Sequence, residues 1–219
     1  MVIVAPFYAP RPDHPKFRDY IPLLRLQDRS VRHFGHIQTV LTDSAFVARL
    51  FPALRAELPH ALMKASHAAQ LAALQAGLPG DLVLTGADCL LGRDPAALFD
   101  GSFDLAATTH PFSDCILNTG AIFVPKGCGS KVAKFWEQAL RTCGDHWGDD
   151  QRSLAAALGA TLERGLHDRG GLRVKFLPCR DHNWAPDHAE DPCTATVVHF
   201  RGPRKDWMAQ WMARFQPQA

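Results

Sequence analysis

The chain has 219 residues, enough to bury the core of one domain, and its 47% hydrophobic and 21% charged content excludes a disordered chain. A net charge of +2 argues against a large duplex-binding footprint and gives no general pull toward a membrane surface. Such bias as exists is local: between residues 201 and 214, Arg201, Arg204, Lys205 and Arg214 face only Asp206. Met1-Val2-Ile3-Val4-Ala5 is too short for a signal h-region, and no apolar run approaches the roughly 18 residues of a membrane span. The six cysteines include no Cys-x-x-Cys pair, so free thiols in a reducing cytoplasm are expected and a zinc knuckle is not.

Val2-Ile3-Val4-Ala5 is a buried-strand run that Pro6 is expected to end, with residues 7–12 as a rigid loop. Residues 17–34 have helical spacing, with Tyr20, Leu23, Leu24, Gln27 and Val31 near one face. Residues 37–43 read as a second strand, and Asp43-Ser44 as the cap of a helix over residues 45–54. Residues 60–76, rich in Ala and Leu and free of Gly and Pro, predict a strong helix. Lys64 near its start is either solvated or a phosphate contact.

Leu82-Val83-Leu84-Thr85 is a short apolar strand that runs through Gly86-Ala87 into Asp88. Open α/β sheets bind ligands off the carboxyl ends of their strands, which makes Asp88 the first functional candidate. Asp94-Pro95 begins a short helix, and residues 103–109 read as a strand followed by a loop at 110–115. Residues 116–124 then set Asn118-Thr119-Gly120 inside an apolar run. Gly120 allows close backbone approach and Asn118 can bond at both ends of its amide; a β-bulge or hairpin corner is the structural alternative.

Residues 130–141 predict an amphipathic helix, and Asp149-Asp150-Gln151 precedes another over 152–158. Acids at that position complement the helix dipole or belong to a site. Residues 172–178 alternate as a half-buried strand, 180–184 form a polar-aromatic loop, and 196–200 are a last strand with His199 near its end.

The order of these features is more specific than any one of them. A strand ending Gly86-Ala87-Asp88, then Asn118-Thr119-Gly120, Asp149-Asp150-Gln151, and a closing His199-Phe200-x-Gly202-x-x-Lys205-x-Trp207 resembles the GT-A glycosyltransferases. The likeness is to the glycosyltransferase family 8-like group of glycogenin and the related bacterial galactosyltransferases, and it covers nearly the whole chain. It implies an α/β fold: a Rossmann-like nucleotide-diphospho-sugar transferase with a mixed sheet flanked by helices. One such domain would span residues 1–219, with 196–219 as its closing segment.

The resemblance implies transfer of a sugar from a nucleotide-diphosphate donor such as a UDP-sugar to an acceptor hydroxyl, with retention. It also implies a divalent cation, Mn2+ or Mg2+, held by Asp88 and His199. Lys205 and Gly202 would hold the leaving diphosphate, and Pro6, Phe7 and Tyr8 the base. Lys64, Gly86, Ala87, Asn118, Thr119 and Gly120 would complete the donor site, with Asp150, Gln151 and Asn118 as the catalytic set.

Two departures stand out: Gly86 occupies the place of the first acid of Asp-x-Asp, and Asp206 that of a usual proline. The acceptor would be a saccharide, a glycolipid or a hydroxylated DNA base of the phage type, meeting the loops at 110–115 and 180–192. For a nucleic-acid base, Arg180, Trp184, Trp207 and Trp211 are the candidate grip. The alternatives are a non-catalytic nucleotide-sugar-binding scaffold and, ranked lower because residues 6–10 contain no glycine, a nucleotidyltransferase.

Overall fold

The computed structural model describes residues 1–13, 18–111 and 115–216. Phe17, residues 112–114 of the loop expected at 110–115, and residues 217–219 of the closing segment lie outside them. The first half of the chain contains β1 (Val2–Phe7), α1 (Ile21–His33), β2 (Ile37–Gln38), β3 (Val40–Thr42), α2 (Val47–Leu50), β4 (Ala53–Arg55), α3 (Leu62–Gln75), β5 (Asp81–Gly86) and β6 (Cys89–Leu91). The second contains β7 (Leu105–Thr109), β8 (Leu117–Val124), α4 (Gly129–Thr142), α5 (Asp149–Leu158), β9 (Gly165–Arg169), β10 (Leu172–Pro178), α6 (Cys179–His182), β11 (Asn183–Trp184), β12 (Val197–His199) and α7 (Met208–Phe215). Short 3-10 turns lie at Pro95–Leu98 and Gly202–Trp207.

The main sheet runs β4-β3-β1-β5-β8-β7-β10-β9, with β2 also paired to β1. β4, β3, β1 and β5 are parallel, β8 is antiparallel to both its neighbours, and β9 is antiparallel to β10. Both faces are covered, which is why β1 and β5 are continuous apolar runs rather than alternating ones. Ile3, Ala5, Leu82 and Leu84 pack on one face with Ala69 and Ala73 of α3, Trp136 of α4 and Leu154 of α5. Val2, Val4 and Val83 pack on the other with Val31 of α1 and Leu91 of β6. A second sheet, β11-β12-β6, closes that side.

Several expectations are corrected. β1 does not end at Pro6 but continues to Phe7, pairing with β5 through Gly86. The Val4 carbonyl accepts from Thr39 N and Tyr8 N donates to the Leu41 carbonyl, both at 2.9 Å. Pro6 lies between them on the same side, and the ladder bond it cannot donate, to the Thr39 carbonyl, falls where β2 and β3 are interrupted. The helix expected over residues 45–54 is only the single turn Val47–Leu50. Ser44 does cap it, accepting from Val47 N at 3.2 Å. Pro52 then forces Phe51 into the extended region (φ −137°, ψ 154°), and Ala53–Arg55 becomes β4.

Asn118-Thr119-Gly120 is not a turn between two pieces but a bulge within the continuous β8. Register jumps from Ala107↔Ile122 to Thr108↔Asn118, leaving residues 119–121 unmatched on the β7 side.

Candidate active site

The parallel pairing of β1 and β5 sets Phe7 beside Gly86 at their carboxyl ends. A cleft of about 200 Å³ opens there, bounded also by α3, the β8 bulge and the start of α5. The turn after β5 carries Asp88 into it. β6 then pairs antiparallel with β12, matching Cys89 to His199, and Phe200 N donates to the Asp88 carbonyl at 2.8 Å. That short second sheet is what brings residue 199 back to residue 88.

Asp88 lies between two basic groups. Its Oδ2 accepts from Lys205 Nζ at 2.7 Å, and its Oδ1 faces His199 Nε2 at 3.5 Å. Burial alone would push the carboxyl pKa up, but His199 and Lys205 outweigh it and hold Asp88 well below the usual carboxylate range. Burial works against the Lys205 charge in turn, and Asp88 more than offsets it, so the ammonium is held more firmly than usual. The ammonium also lies 5.8 Å from the Tyr20 ring centroid. Tyr20 meets Tyr8 edge-on at 6.4 Å, so both tyrosines of the chain line one end of the cleft.

The residues present fit a divalent cation. Asp88 Oδ1 and His199 Nε2 face each other at 3.5 Å while Lys205 takes the other carboxylate oxygen. A carboxylate plus an imidazole is a donor set suited to a metal that completes its shell with phosphate oxygens. Cys89 adjoins this pair but is not a hard-cation ligand. Burial raises its thiol well above the usual range, and the thiol donates to the Gly120 carbonyl at 3.5 Å.

Two glycines shape the site. A Cβ on Gly120 would stand 2.3 Å from His199 Nδ1, so only glycine lets the imidazole lie against β8. A Cβ on Gly86 would stand 2.6 Å from Asp88 Oδ1. The missing first acid and the present position of Asp88 are therefore linked.

Beside His199 across Gly120, Asn118 accepts from Gly120 N through Oδ1 at 3.0 Å, and its buried amide faces the Cys179 thiol. Asp150 is 8% exposed. Its Oδ2 accepts from Thr119 Oγ1 at 3.2 Å, and the backbone N–H groups of Asp150 and Gln151 at the start of α5 face the carboxylate. Burial raises its carboxyl pKa, with His67 pulling the other way. His67, fully buried on α3, meets Ser153 Oγ at 3.0 Å through Nε2, and burial lowers its pKa against the pull of Asp150. Ser153 Oγ also donates to the Asp150 carbonyl at 3.2 Å. α3 is in this way pinned to the first turn of α5.

By sequence, the chain matches no protein-family model and no curated relative. Its structure is similar to several solved ones. A glycosyltransferase involved in glycosylation of the major capsid of PBCV-1 superposes with TM-score 0.62 at 14% identity, covering 96% of this chain and 98% of the other. The galactosyltransferase LgtC, solved with donor and acceptor sugar analogues, gives TM-score 0.54 at 15% identity, over 99% and 94%. The glycosyltransferase GlyE of Streptococcus pneumoniae TIGR4 gives 0.57 at 12%, over 99% of this chain but 63% of GlyE.

The chain has the GT-A fold. Most of the residues singled out from the sequence line the GT-A cleft together: Phe7, Tyr8, Gly86, Ala87, Asp88, Asn118, Thr119, Gly120, Asp150, Gln151, His199 and Lys205. Three do not. Pro6 is within β1, Gly202 is an exposed residue with φ +60° that turns the chain toward Lys205, and Lys64 pairs with Asp145 at 3.5 Å. Lys64 is one step round α3 from the residues that do face the cleft, Met63 and Ser66.

The wall also includes residues the sequence did not mark, among them Arg11, Arg18, Tyr20, Gln70 and Trp147. Arg18 Nη2 donates to Asp206 Oδ1 at 2.7 Å, an exposed pair. Of the suggested nucleic-acid grip, Arg180 is exposed and Trp184 and Trp207 are partly so, but Trp211 is not available. Trp211 is 2% exposed and donates to the Asp191 carbonyl at 2.8 Å, while Trp184 and Trp207 pack with it against Phe200 and Met208. Among the described residues, no helix is long and apolar enough to cross a membrane.

Proposed function

We propose that the chain is a glycosyltransferase that moves a sugar from a nucleotide-diphosphate donor to an acceptor hydroxyl, with retention at the anomeric carbon. The observation that carries this reading is one cleft that holds both a charged and a neutral polar set. Asp88, His199 and Lys205 suit a diphosphate; Asn118, beside His199 across Gly120, and Asp150, at the start of α5, suit sugar hydroxyls. Phe7, Tyr8 and Tyr20 offer the aromatic surface a base and ribose need, and we assign the base there, uridine being the choice the resemblance favours.

As the bond from the anomeric carbon to the diphosphate breaks, negative charge grows on the leaving oxygen. The Lys205 ammonium, fixed in place by Asp88 and shielded from bulk water, stabilises that charge without reorganising. Asn118 and Asp150 orient the ring, and Gln151 lies at the reaction face, where the acceptor hydroxyl bonds to the anomeric carbon on the side the diphosphate leaves and passes its proton to the departing diphosphate oxygen. Asp88 and His199 would hold Mn2+ or Mg2+, whose chemistry when bound is Lewis-acid stabilisation of the same leaving group. Mn2+ is favoured because one of the two ligands is an imidazole.

A saccharide is the acceptor this reading favours. Residues 1–219 are read as one domain closed by residues 196–219, and six free cysteines suit the reducing cytoplasm.

The test is a donor screen, with release of nucleoside diphosphate followed across uridine, guanosine and cytidine diphosphate sugars, with and without Mn2+. Release that depends on Lys205 supports the reading, and NMR of the product anomer checks retention. Tight binding of donors with no turnover under any condition would favour the scaffold alternative.

A further inference from the structure

We propose that β9, at one edge of the main sheet, is a self-complementary docking surface, and that a second copy of this chain pairs with it antiparallel across a two-fold axis. The proposal stands on the edge strand and does not depend on the glycosyltransferase reading.

β9 ends the main sheet and pairs only with β10. The strand and the residues leading into it are mostly exposed, including two leucines, Leu162 at 48% and Leu166 at 53%. An open edge that carries apolar side chains is a template for another strand. It lies beyond β8, β7 and β10 from β5, so a strand added there leaves the cleft open.

The hairpin sets which backbone groups are free. Gly170 and Gly171, at φ +62° and +82°, form the two-residue turn that closes Arg169 against Leu172. With that closing pair hydrogen-bonded, Arg169, His167 and Gly165 make the bonds to β10. The N–H and C=O groups of Asp168 and Leu166 then point away from β10, and Arg164, just before the strand, is next in the same phase. An added antiparallel strand must pair these even-numbered residues with one another.

Their side chains select one register. Leu166 against Leu166 of the second copy sets Arg164 against its Asp168, and Asp168 against its Arg164. Alternate residues of a strand share a face, so one apolar pair is flanked by two ion pairs. Glu163 and Arg169 match in the same way on the other face. Sliding by two residues sets Leu166 against Arg164 or Asp168 and breaks the ion pairs. An edge guarded by like charges repels a second copy, whereas this one carries both signs, equally spaced about a leucine. Among the described residues, Arg164 makes no ion pair in its own chain.

The test is sedimentation equilibrium on the full chain from about 1 to 100 μM, the range suited to a small edge-to-edge interface. The variants are Arg164→Asp, Asp168→Lys and Leu166→Lys. The expected result is a reversible monomer–dimer equilibrium in the wild type. Each substitution places like charges across the axis and should weaken the dimer about tenfold or more. An equimolar mixture of Arg164→Asp and Asp168→Lys should dimerise as the wild type does, because every cross-axis pair is again of opposite sign. A wild type that stays monomeric across the whole range, a dimer that Arg164→Asp does not weaken, or a mixture of folded variants that stays monomeric overturns the proposal. Thermal melts show whether each variant is folded. Asp168 also accepts from Gly171 N in the turn at 3.0 Å. If Asp168→Lys melts early, Arg164→Asp and Leu166→Lys decide, since both of those side chains are exposed.

Discussion

Gly120 carries the most sharply defined constraint of any single residue in the cleft. Its missing side chain is the space His199 occupies, so Gly120→Ala must displace the imidazole from Asp88. A displacement of that kind costs about 100-fold in rate when it moves a catalytic group by an ångström, and we predict a loss of that order in kcat/KM with Tm little changed. Steady-state kinetics beside a thermal melt checks it. Asp150 gives a prediction of opposite signs. Its folded pKa is raised chiefly by burial, so the folded state is favoured below the ordinary carboxylate range and loses stability as pH rises through the folded value. Asp150→Asn should therefore raise Tm at pH 7, with the gain vanishing below about pH 4. The same change should lower transfer by about 100-fold or more, because the proposed contact to the donor sugar is lost. A Tm that falls at pH 7 would mean that the charge is compensated better than its surroundings indicate.

At the scale of elements, α4, β7 and β10 are joined through Asp104. It accepts from Arg173 Nη2 and backbone N, both at 2.9 Å, and from Lys131 Nζ at 2.5 Å, and it is 5% exposed. Hydrogen bonds from Arg173 lead, with Lys131 assisting, in pulling its pKa far below the ordinary value. A depressed acid contributes its stability above the unfolded pKa and loses it as pH falls through the folded one. Asp104→Asn should cost about 1–2 kcal/mol at pH 7, modest because both partners are half exposed, and the deficit should shrink in acid. Urea melts at pH 7 and pH 3 measure it.

Elements were legible where an apolar run met a clear stop. β1, α3, β5, α4 and β10 have continuous or 3.6-residue patterns and were expected within a residue or two. β4 was hidden behind a correct helix cap at Ser44, because Pro52 cuts that helix after one turn. β9 has no buried stripe at all, being an edge strand that pairs only with β10. The site divides in the same way. Asp88 and Asn118 are polar residues next to or inside apolar stretches, which a sequence displays; Asp150 lies in a polar run and stands out only through the order of the motifs. His67 reads as one more polar residue on a helix, and only Ser153, 86 positions away, reveals its place. Arg18 meets Asp206, 188 positions away, which a sequence does not display.

For the whole molecule, the cleft is an edge property of the main sheet combined with a return of the chain. The main sheet sets the ends of β1 and β5 side by side, and the small sheet brings residues 199 to 205 back over them. A net charge of +2 leaves the surface without a strong field, so the charge that matters is the local set of Asp88, His199 and Lys205. The account stands on that set acting on a nucleotide-diphosphate sugar. The most direct measurement is release of nucleoside diphosphate from the screened donors with Mn2+ present, by wild type and by Asp88→Ala in parallel. The account predicts release from at least one donor by the wild type and about 100-fold less by the variant. Equal release by both, or release from none of the donors, would contradict it.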